Sequence, residues 1–361
     1  MLSFISAKQL IDRLRDTQTL DRADFVRLIT EFTPDISEYL FEQSRAVRQK
    51  YYGNSVFIRG LIEFSNYCKN DCYYCGIRRS NKNASRYRLT EDEILSCCEH
   101  GYALGFRTFV LQGGEDPWFT DERLVSIISN MRAGWPDCAI TLSLGERSAE
   151  SYQKLFDAGA NRYLLRHETY DARHYEQLHP APLTSSHRQN CLFQLKKIGF
   201  QTGAGFMVGS PHQTAENIAD DLLFLKKLDP QMVGIGPFIP HHDTPFAKEP
   251  AGSVELTLFL LGLVRLLLPE VLLPATTALG TMDPHGREKG ILAGANVVMP
   301  NLSPDQVRKK YLLYDNKLCT GTEAAEQLEH LKHQMASIGY HVSIDRGDCH
   351  SVLFSKNTIT E

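Results

Sequence analysis

The sequence has little net charge and lacks a long, uninterrupted apolar run. Its 361 residues include 39 basic and 43 acidic side chains, which leaves a formal net charge of −4. This near-neutral balance does not indicate binding to nucleic acid or to an anionic membrane surface. The most apolar stretch, residues 256–268, is too short to span a bilayer and contains Arg265, so it predicts a buried helix.

The first residues also lack the features of a signal peptide. Residues 1–16 alternate apolar and charged side chains at helical spacing, without an apolar core or a small-residue cleavage site. We therefore expect a cytoplasmic protein, in which clustered cysteines bind metal more often than they form disulfides. The odd total of nine cysteines also argues against a complete disulfide framework.

What the chain does contain is a regular alternation of short β-rich runs and helix-period segments. The runs predicted as strands are 56–65, 107–113, 139–145, 162–168, 201–209, 232–238, 271–278 and 295–300. The segments predicted as helices are 90–104, 119–133, 148–158, 185–198, 214–228, 253–268 and 284–293. Repeated βα alternation predicts a parallel sheet, and eight such units close a barrel. The expected fold class is therefore α/β, a (β/α)8 TIM-type barrel.

The two ends of the chain lie outside this alternation. Residues 1–50 predict two or three amphipathic helices, with a stop and restart at Thr33 and Pro34. The barrel is expected to span residues 51–320. Residues 321–361 are expected to form a short C-terminal extension, a helix and a tail packed on the barrel. No low-complexity linker marks a second domain.

Several predicted strands carry polar residues on one side. Residues separated by an even number of positions along a strand point to the same face. Arg59 and Glu63 share a face in this way, as do Thr141 and Ser143, and Arg166 and Glu168. Burying an unpaired charge in an apolar core costs roughly several kcal/mol. These groups therefore either pair with one another or line a polar cavity that holds a charged ligand. Their recurrence on successive strands favours the cavity.

Three cysteines, Cys68, Cys72 and Cys75, directly follow the first predicted strand. A zinc site needs a fourth ligand, and the nearest histidine, His100, is far along the chain. Three thiolates can hold three corners of a [4Fe–4S] cubane and leave the fourth iron open. An open iron can bind the amine and carboxylate of S-adenosylmethionine, whose sulfonium releases a 5′-deoxyadenosyl radical when it accepts one electron.

The cysteine motif, with Tyr74 before its last cysteine, resembles the radical SAM superfamily. GGED at 113–116 follows the second predicted strand and resembles the superfamily's GGE element, whose backbone receives the cofactor's amino group. GAGFMVG at 203–209 does not fit a dinucleotide-binding fingerprint, because its spacing differs and it lies within a strand.

From about residue 56 to 319 the chain resembles the HydE family of radical SAM maturases of [FeFe]-hydrogenase. The runs that carry this likeness are CGIRRSNKN-x3-YR (75–88), LQGGEDP (111–117), TLSLGE (141–146), DAGANRYLLRHET (157–169), GIGPFIPHHDTP (234–245), PATTALGT (274–281) and GANVVMPN (294–301). The resemblance implies a complete barrel with one [4Fe–4S] cluster and S-adenosylmethionine at one end of an internal cavity.

The resemblance also implies a role for each matching position. Cys68, Cys72 and Cys75 would bind the cluster, and Tyr74, Gly113, Gly114, Glu115, Ser143, Glu168 and Arg188 would contact the cofactor. The substrate cavity would be lined by Arg59, Gln112, Thr141, Arg166, Thr276, Thr277, Met299 and Tyr311. No catalytic side chain beyond the cluster and the cofactor is implied. The alternation of side chains along the predicted strands independently predicts that several of these residues face the interior of the barrel.

For the family, the activity is assembly of the two-iron subcluster of the hydrogenase H-cluster from a cysteine-ligated iron carbonyl/cyanide precursor. Expected partners are other hydrogenase maturation proteins and a reductant such as ferredoxin or flavodoxin.

Many family members carry a second, C-terminal cluster held by three cysteines. Here Cys319 stands without cysteine neighbours through Arg346, so a second cluster is not expected.

Three other functions stay open. Biotin synthase places cluster ligands on its inner strands, where this chain has Leu111, Thr141 and Ala204 rather than cysteine. Methylornithine synthase also uses a single cluster, so its product is the discriminating observation. A non-enzymatic iron–sulfur carrier would not respond to S-adenosylmethionine.

Overall fold

The structure is a computed structural model and describes residues 4–318 and 324–352. The helices are α1 Phe4–Thr17, α2 Arg22–Glu31, α3 Pro34–Tyr52, α4 Glu91–Ala103, α5 Asp121–Gly134, α6 Ala149–Asp157, α7 Ala172–Leu178, α8 Ser185–Ile198, α9 Ala215–Leu228, α10 Val254–Leu267, α11 Thr277–Met282, α12 Gly286–Leu292, α13 Asp305–Arg308 and α14 Ala324–Ser337. The strands are β1 Ser55–Ile58, β2 Gly60–Ser65, β3 Thr108–Gly113, β4 Ala139–Ser143, β5 Arg162–Leu164, β6 Gln201–Ala204, β7 Met207–Val208, β8 Met232–Val233, β9 Gly236–Pro237, β10 Val297–Val298 and β11 His341–Ser343.

Three helices precede the first strand, as the sequence predicts for residues 1–50. Thr33 caps α3, because its side chain accepts the Ile36 N–H, and Pro34 occupies the first turn, where its missing N–H costs nothing. Arg48 of α3 is buried and donates to the carbonyls of Ala295, Gly53 and Ser55. This arginine ties the helical segment to the start of the sheet.

The core of the molecule is a six-stranded parallel sheet in the order β2-β3-β4-β5-β6-β8. Neighbouring strands are almost all consecutive in the chain, as expected when each strand is followed by a helix that crosses back over the sheet. The predicted parallel α/β fold is therefore confirmed. All seven predicted helices are present, and their ends agree with the prediction to within two residues.

Several predicted strands are shorter than expected, and one is wrong. The first is divided at Arg59, and the fifth and sixth are interrupted near Gly205 and Gly234, where a Cβ on Gly205 would lie 2.0 Å from the Gly234 carbonyl oxygen. The predicted strand 271–278 forms only isolated bridges at Leu272 and Pro274. Proline lacks the N–H that a ladder needs.

A second group of pairings lies beside the main sheet. β1 pairs with β10 and with β11, and isolated parallel bridges join Met232 to Leu272, Pro274 to Val297 and Leu61 to Asn301.

α7, α11 and α13 are short helices that the periodicity did not predict. None of the described helices has both the length and the apolar character that crossing a membrane requires.

The described C-terminal segment covers the amino ends of the central strands. Buried Arg162, at the start of β5, donates to the carbonyls of Arg346 and Gly347 and to the Asp348 carboxylate at 2.7 Å. Gln201, at the start of β6, donates to the same carboxylate. The opposite, carboxyl edge of the sheet carries the cysteine motif. Cys319 lies outside the described residues.

Candidate active site

The three cysteines lie on a long loop, residues 66–90, that leaves β2 at the carboxyl edge of the sheet. Hydrogen bonds to main-chain carbonyls hold the loop: Asn66 donates to those of Ser85 and, outside the loop, Lys310, and Arg86 donates to those of residues 66, 77, 78 and 81. These bonds can fix the shape of the loop although it is not part of the sheet.

The thiols of Cys68, Cys72 and Cys75 lie close together but not as close as on a single metal ion. Burial, followed by the neighbouring Cys68 thiol, raises the pKa of Cys75 to about 12, and burial and Cys75 raise the pKa of Cys72. Their sulfur atoms are not all within 4.8 Å of one another. Thiolates on one tetrahedral zinc, with bonds of about 2.3 Å, lie about 3.8 Å apart. Three thiols can hold three corners of a [4Fe–4S] cubane.

The GGE turn packs directly on the cysteine loop. The Gly114 N–H donates to the Ser65 carbonyl, and the Lys69 N–H donates to the Glu115 carbonyl. Asp116 accepts two hydrogen bonds from Arg88 and one from Ser65, which fixes the turn to both ends of the loop. A Cβ at Gly114 would lie 2.2 Å from the Tyr67 carbonyl oxygen, so only glycine allows this approach.

Tyr74 is buried beside the cysteines, and its hydroxyl donates to His179 Nε2 at 3.1 Å. His179 Nδ1 in turn donates to the Tyr175 carbonyl, so its Nε2 is free to accept. Burial lowers the pKa of His179 to about 3, which keeps the ring neutral. The sequence did not single out His179. It lies directly after α7, whose first turn Asp171 caps.

Glu168 follows β5 with a left-handed backbone, φ 65°, which is rare for a residue with a side chain. Its Oε2 forms an ion pair with Arg166 Nη2 at 3.0 Å, without hydrogen-bond alignment. His167, between them, points the other way and contacts Asp221 of α9 at 3.2 Å, with both side chains fully buried. The His167–Asp221 contact anchors the strand end that presents Arg166 and Glu168.

Arg188 of α8 is buried rather than exposed, although its helix segment alone favours exposure. Its Nε lies 3.0 Å from Glu146 Oε1 without hydrogen-bond alignment. Burial acts to lower the pKa of Arg188, but Tyr175, Glu146 and Glu115 outweigh it and raise that pKa above the ordinary value. Glu146 was not predicted as a site residue. Its position directly after Gly145, past the end of β4, is the signal that could have found it.

Polar side chains also line the interior between the strands. Glu63, Gln112 and Ser143 are register partners across β2, β3 and β4. Burial and the Glu63 carboxylate raise the pKa of Tyr311, and Gln112 is the neighbour that opposes this shift. The Thr141 hydroxyl is buried without a hydrogen-bond partner.

Arg59 is buried in the interior. One of its N–H groups contacts Met232 Sδ at 3.0 Å, and the Nε and Nη2 atoms have no partner. Burial, reinforced by the Arg162 cation, lowers the pKa of Arg59 well below its ordinary value. A buried cation with two unused donors is costly unless a ligand accepts from it. Arg59 therefore leaves cationic donors free inside the fold.

Of the remaining predicted cavity residues, Thr277 and Met299 lie at an open cavity, whereas the Thr276 side chain is engaged in capping a helix. Thr277 and Met299 line a cavity of about 360 Å³, together with Lys317, whose ammonium pairs with buried Glu63. Thr276 instead caps α11, where its side chain accepts the Leu279 N–H.

Among the described residues, His241, His242 and Asp315 form a group whose three possible ligand atoms lie within 4.8 Å of one another. His242 Nδ1 lies 2.6 Å from the Asp315 carboxylate. His241 Nδ1, however, accepts the Asp243 N–H, which places its own proton on Nε2, the atom that a metal would need. The group therefore acts as a hydrogen-bonded clamp, and the His241 ring packs against Gly76 of the cysteine loop.

The comparisons with known proteins agree with this geometry. The Radical SAM superfamily model matches residues 62–225. The [FeFe] hydrogenase maturase subunit HydE of Thermotoga maritima is 47% identical over 307 residues, which cover 84% of this chain and 87% of that protein. The chain belongs to the radical SAM superfamily, in the family of HydE.

Other relatives place the HydE family among radical SAM enzymes of similar fold. The 3-methylornithine synthase of Methanosarcina acetivorans is 32% identical over 286 residues, covering 78% of this chain and 79% of that protein. The crystal structure of methylornithine synthase (PylB) superimposes with a TM-score of 0.82 at 26% identity, covering 96% of this chain and 99% of that one. The maturase HydG gives the same TM-score at 19% identity, over 99% of this chain and 81% of that chain, which supports the fold alone.

The residues present fit the cofactors of the radical SAM superfamily. Three spread thiols suit a [4Fe–4S] cluster, and Gly114, Glu168 and Arg188 leave a glycine cradle and unused polar atoms beside it. The chain is therefore a radical SAM enzyme of the HydE type.

Proposed function

We propose that this enzyme assembles the two-iron subcluster of the [FeFe]-hydrogenase H-cluster, acting on a cysteine-ligated iron carbonyl/cyanide precursor. The observation that carries the proposal is buried Arg59, whose Nε and Nη2 atoms have no hydrogen-bond partner, in a chain 47% identical to HydE. An anionic complex would accept hydrogen bonds from this guanidinium group and offset the cost of burying it.

Cys68, Cys72 and Cys75 would hold the [4Fe–4S] cluster, and the backbone of Gly113, Gly114 and Glu115 would receive the amino group of S-adenosylmethionine. When bound, these groups supply one-electron cleavage of the sulfonium to give a 5′-deoxyadenosyl radical.

Four side chains would orient the cofactor. Glu168 offers a carboxylate to the ribose hydroxyls, and Arg188 a guanidinium to the methionyl carboxylate. Tyr74, kept neutral by burial and held by His179, would contact the cofactor as an aromatic surface. Ser143 completes this set at the end of β4. The left-handed Glu168 backbone fits a residue turned toward a ligand instead of along its strand.

For the substrate, the proposed lining is Arg59, Gln112, Thr141, Arg166, Thr276, Thr277, Met299 and Tyr311. The first four belong to or directly follow the inner strands, and the last four close the space from the later part of the chain. Thr276 would act through its capped helix end, since its hydroxyl is engaged with the Leu279 N–H.

We further infer that the parallel strands close into a (β/α)8 barrel spanning residues 51–320. The isolated bridges from Met232 to Leu272 and from Pro274 to Val297, together with the β10–β1 pairing, supply contacts around the open side of the six-stranded sheet. Residues 1–50 and 321–361 would be extensions packed on this barrel. All eight cysteines in the described part of the chain are free, as expected of a cytoplasmic protein.

The test is an anaerobic assay on reconstituted protein with S-adenosylmethionine, dithionite and the cysteine-ligated iron precursor. We expect 5′-deoxyadenosine formation that depends on the precursor and consumes it. Arg59→Gln and Arg166→Gln should reduce precursor-dependent turnover more than the affinity for S-adenosylmethionine. Turnover unaffected by the precursor would contradict the proposal. Other maturation proteins, as partners, would receive the product.

A second candidate is a methylornithine synthase activity, favoured by the 32% identical relative and by the PylB structure that matches over 99% of its length. It is tested in the same assay by replacing the iron precursor with lysine. A methylornithine product, identified by mass spectrometry, would replace the proposed function with this one.

A further inference from the structure

An irregular segment between α13 and α14, residues 310–318, lies against the cysteine loop, and we call it the strap. The strap forms neither helix nor strand, so its shape depends on contacts with its neighbours. The Gly76 N–H donates to the Leu313 carbonyl, and a Cβ on Gly76 would lie 2.3 Å from the Leu312 carbonyl oxygen. The strap therefore packs directly on the residue that follows Cys75.

The outer part of the strap is fixed by contacts with two other segments. The Asp315 N–H donates to the Pro240 carbonyl at 3.0 Å. The Leu318 N–H donates to the Thr281 hydroxyl of α11 at 3.1 Å. These contacts hold the strap at the edge of the sheet, but they do not reach the interior, where Tyr311 lies.

The side chain of Lys317 extends from the strap to Glu63 of β2, whose carboxylate is fully buried. The Lys317 ammonium pairs with this carboxylate, donates to the Tyr311 carbonyl at 2.9 Å and lies 4.8 Å from the centre of the Tyr311 ring. Asn301 donates to the other carboxylate oxygen of Glu63 at 2.8 Å. Lys317 thereby joins β2 to the backbone and to the ring of Tyr311.

Tyr311 is the residue of the strap that enters the proposed substrate cavity. Its ring is buried, and its hydroxyl is within hydrogen-bonding reach of the Gln112 side chain at the end of β3. Gln112 and Glu63 are register partners on neighbouring strands, so the contact of Tyr311 and its anchor lie side by side. A side chain on an irregular segment holds one rotamer only when such neighbours support it.

We propose that Glu63 and Lys317 are positioning residues, an ion pair that holds Tyr311 in place as a contact for the substrate. This rests on the proposed function, which gives Tyr311 that role. Neither member of the pair belongs to the proposed substrate lining. Their effect on the reaction passes through the position of Tyr311, because small displacements of a group that contacts the substrate weaken its effect strongly.

The first measurement tests the anchor without any substrate. In Lys317→Met and in Glu63→Met, hydrogen exchange of the strap amides, followed by mass spectrometry of peptic fragments, should become about tenfold faster. The matched control is Lys196→Met, because Lys196 also pairs with a carboxylate and donates to main-chain carbonyls, at the C-terminal ends of α8 and α9. Strap exchange in the control should equal that of wild type. Unchanged exchange in both Lys317→Met and Glu63→Met would overturn the proposal.

The second measurement is calorimetric titration of the reconstituted protein with the cysteine-ligated iron precursor. If the pair positions Tyr311, the Kd should rise about tenfold in both single variants and stay at the wild-type value in Lys196→Met. Charge alone predicts opposite signs, because an anionic complex would lose an attraction in Lys317→Met and a repulsion in Glu63→Met. Tighter precursor binding by Glu63→Met would therefore overturn the proposal. The affinity for S-adenosylmethionine should be unchanged in all three variants.

The double variant Glu63→Met/Lys317→Met separates positioning from stability. Apolar side chains of similar volume often replace a buried ion pair without loss of stability, so the urea midpoint should match that of wild type. The Kd for the precursor should nevertheless stay about tenfold above the wild-type value. Wild-type precursor affinity in the double variant would overturn the proposal, since the pair would then serve the fold alone. If wild type itself does not bind the precursor, the proposed function is wrong, and strap exchange still decides whether the pair holds Tyr311.

Discussion

Substituting Gly114 by alanine should disrupt the site through backbone contact alone, without removing any ligand. The added methyl carbon would lie 2.2 Å from the Tyr67 carbonyl oxygen and 2.8 Å from Cys68 Cβ. Carbon–oxygen contacts are comfortable at about 3.3 Å, so the cysteine loop must retreat by about 1 Å. The atoms in the way are backbone and the base of a predicted cluster ligand, which cannot rotate aside.

The cost follows from the hydrogen bonds that hold these two segments together. The Lys69 N–H reaches the Glu115 carbonyl at 2.9 Å, and the Gly114 N–H reaches the Ser65 carbonyl at 3.1 Å. Overpacking costs about 1–3 kcal/mol, and losing one of these hydrogen bonds adds about 1 kcal/mol. We therefore expect a penalty of about 2–4 kcal/mol on the conformation that binds the cluster and S-adenosylmethionine.

The assay is iron and sulfide content per chain after anaerobic reconstitution, followed by calorimetric titration with S-adenosylmethionine. If half of the penalty falls on cofactor binding, the Kd should rise about tenfold. Gly134→Ala is the matched control, because a Cβ at Gly134 meets no atom within 4 Å. Wild-type iron content and cofactor affinity in Gly114→Ala would refute the contact argument.

Three further changes test other parts of the structure. Cys72→Ala should abolish both cluster incorporation and 5′-deoxyadenosine formation, whereas Cys97→Ala, on the buried face of α4, should retain both; iron analysis and product chromatography measure this. His179→Phe leaves the Tyr74 hydroxyl without its acceptor and should lower the free energy of unfolding by about 1–3 kcal/mol, and adding Tyr74→Phe should recover most of that loss. Burial acts to raise the pKa of Asp348, but Arg162, Gln201 and Arg346 hold it well below the ordinary value of 3.8. The ionised Asp348 therefore stabilises the fold fully above its unfolded-state pKa, and this stabilisation is lost as the pH falls toward its folded-state pKa. In urea unfolding, the free energy of unfolding of Asp348→Asn should therefore depend less on acidic pH than that of wild type.

Local sequence patterns predicted these helices well, and several of them begin at a capping side chain. Thr90, Thr184 and Thr214 each accept the N–H three residues later, which marks the start of α4, α8 and α9. The strands were harder, because a buried parallel strand has apolar residues on both sides and no alternation to mark its ends. The structure ends β5 at Leu164, where the sequence had predicted a strand to Glu168.

The site was predicted in its residue types but not in its pairings. Alternation along the strands and motif spacing predicted that Arg59, Arg166 and Glu168 lie inside, where Arg59 keeps two free donors and Arg166 pairs with Glu168. The partners of Tyr74 and Arg188 were not predictable, because His179 and Glu146 are distant in sequence and meet them only through the fold.

The amino-acid sequence by itself determined the cysteine spacing, the glycines of the GGE turn and the order of strands and helices, since each depends on neighbours along the chain. The tertiary structure alone decided which charges are left without partners and which are neutralised. Arg162 is satisfied by Asp348, from the other end of the chain, whereas Arg59, buried close to it, keeps two free donors. Pairing of this kind depends on distances between segments far apart in sequence, and local patterns carry no information about those distances.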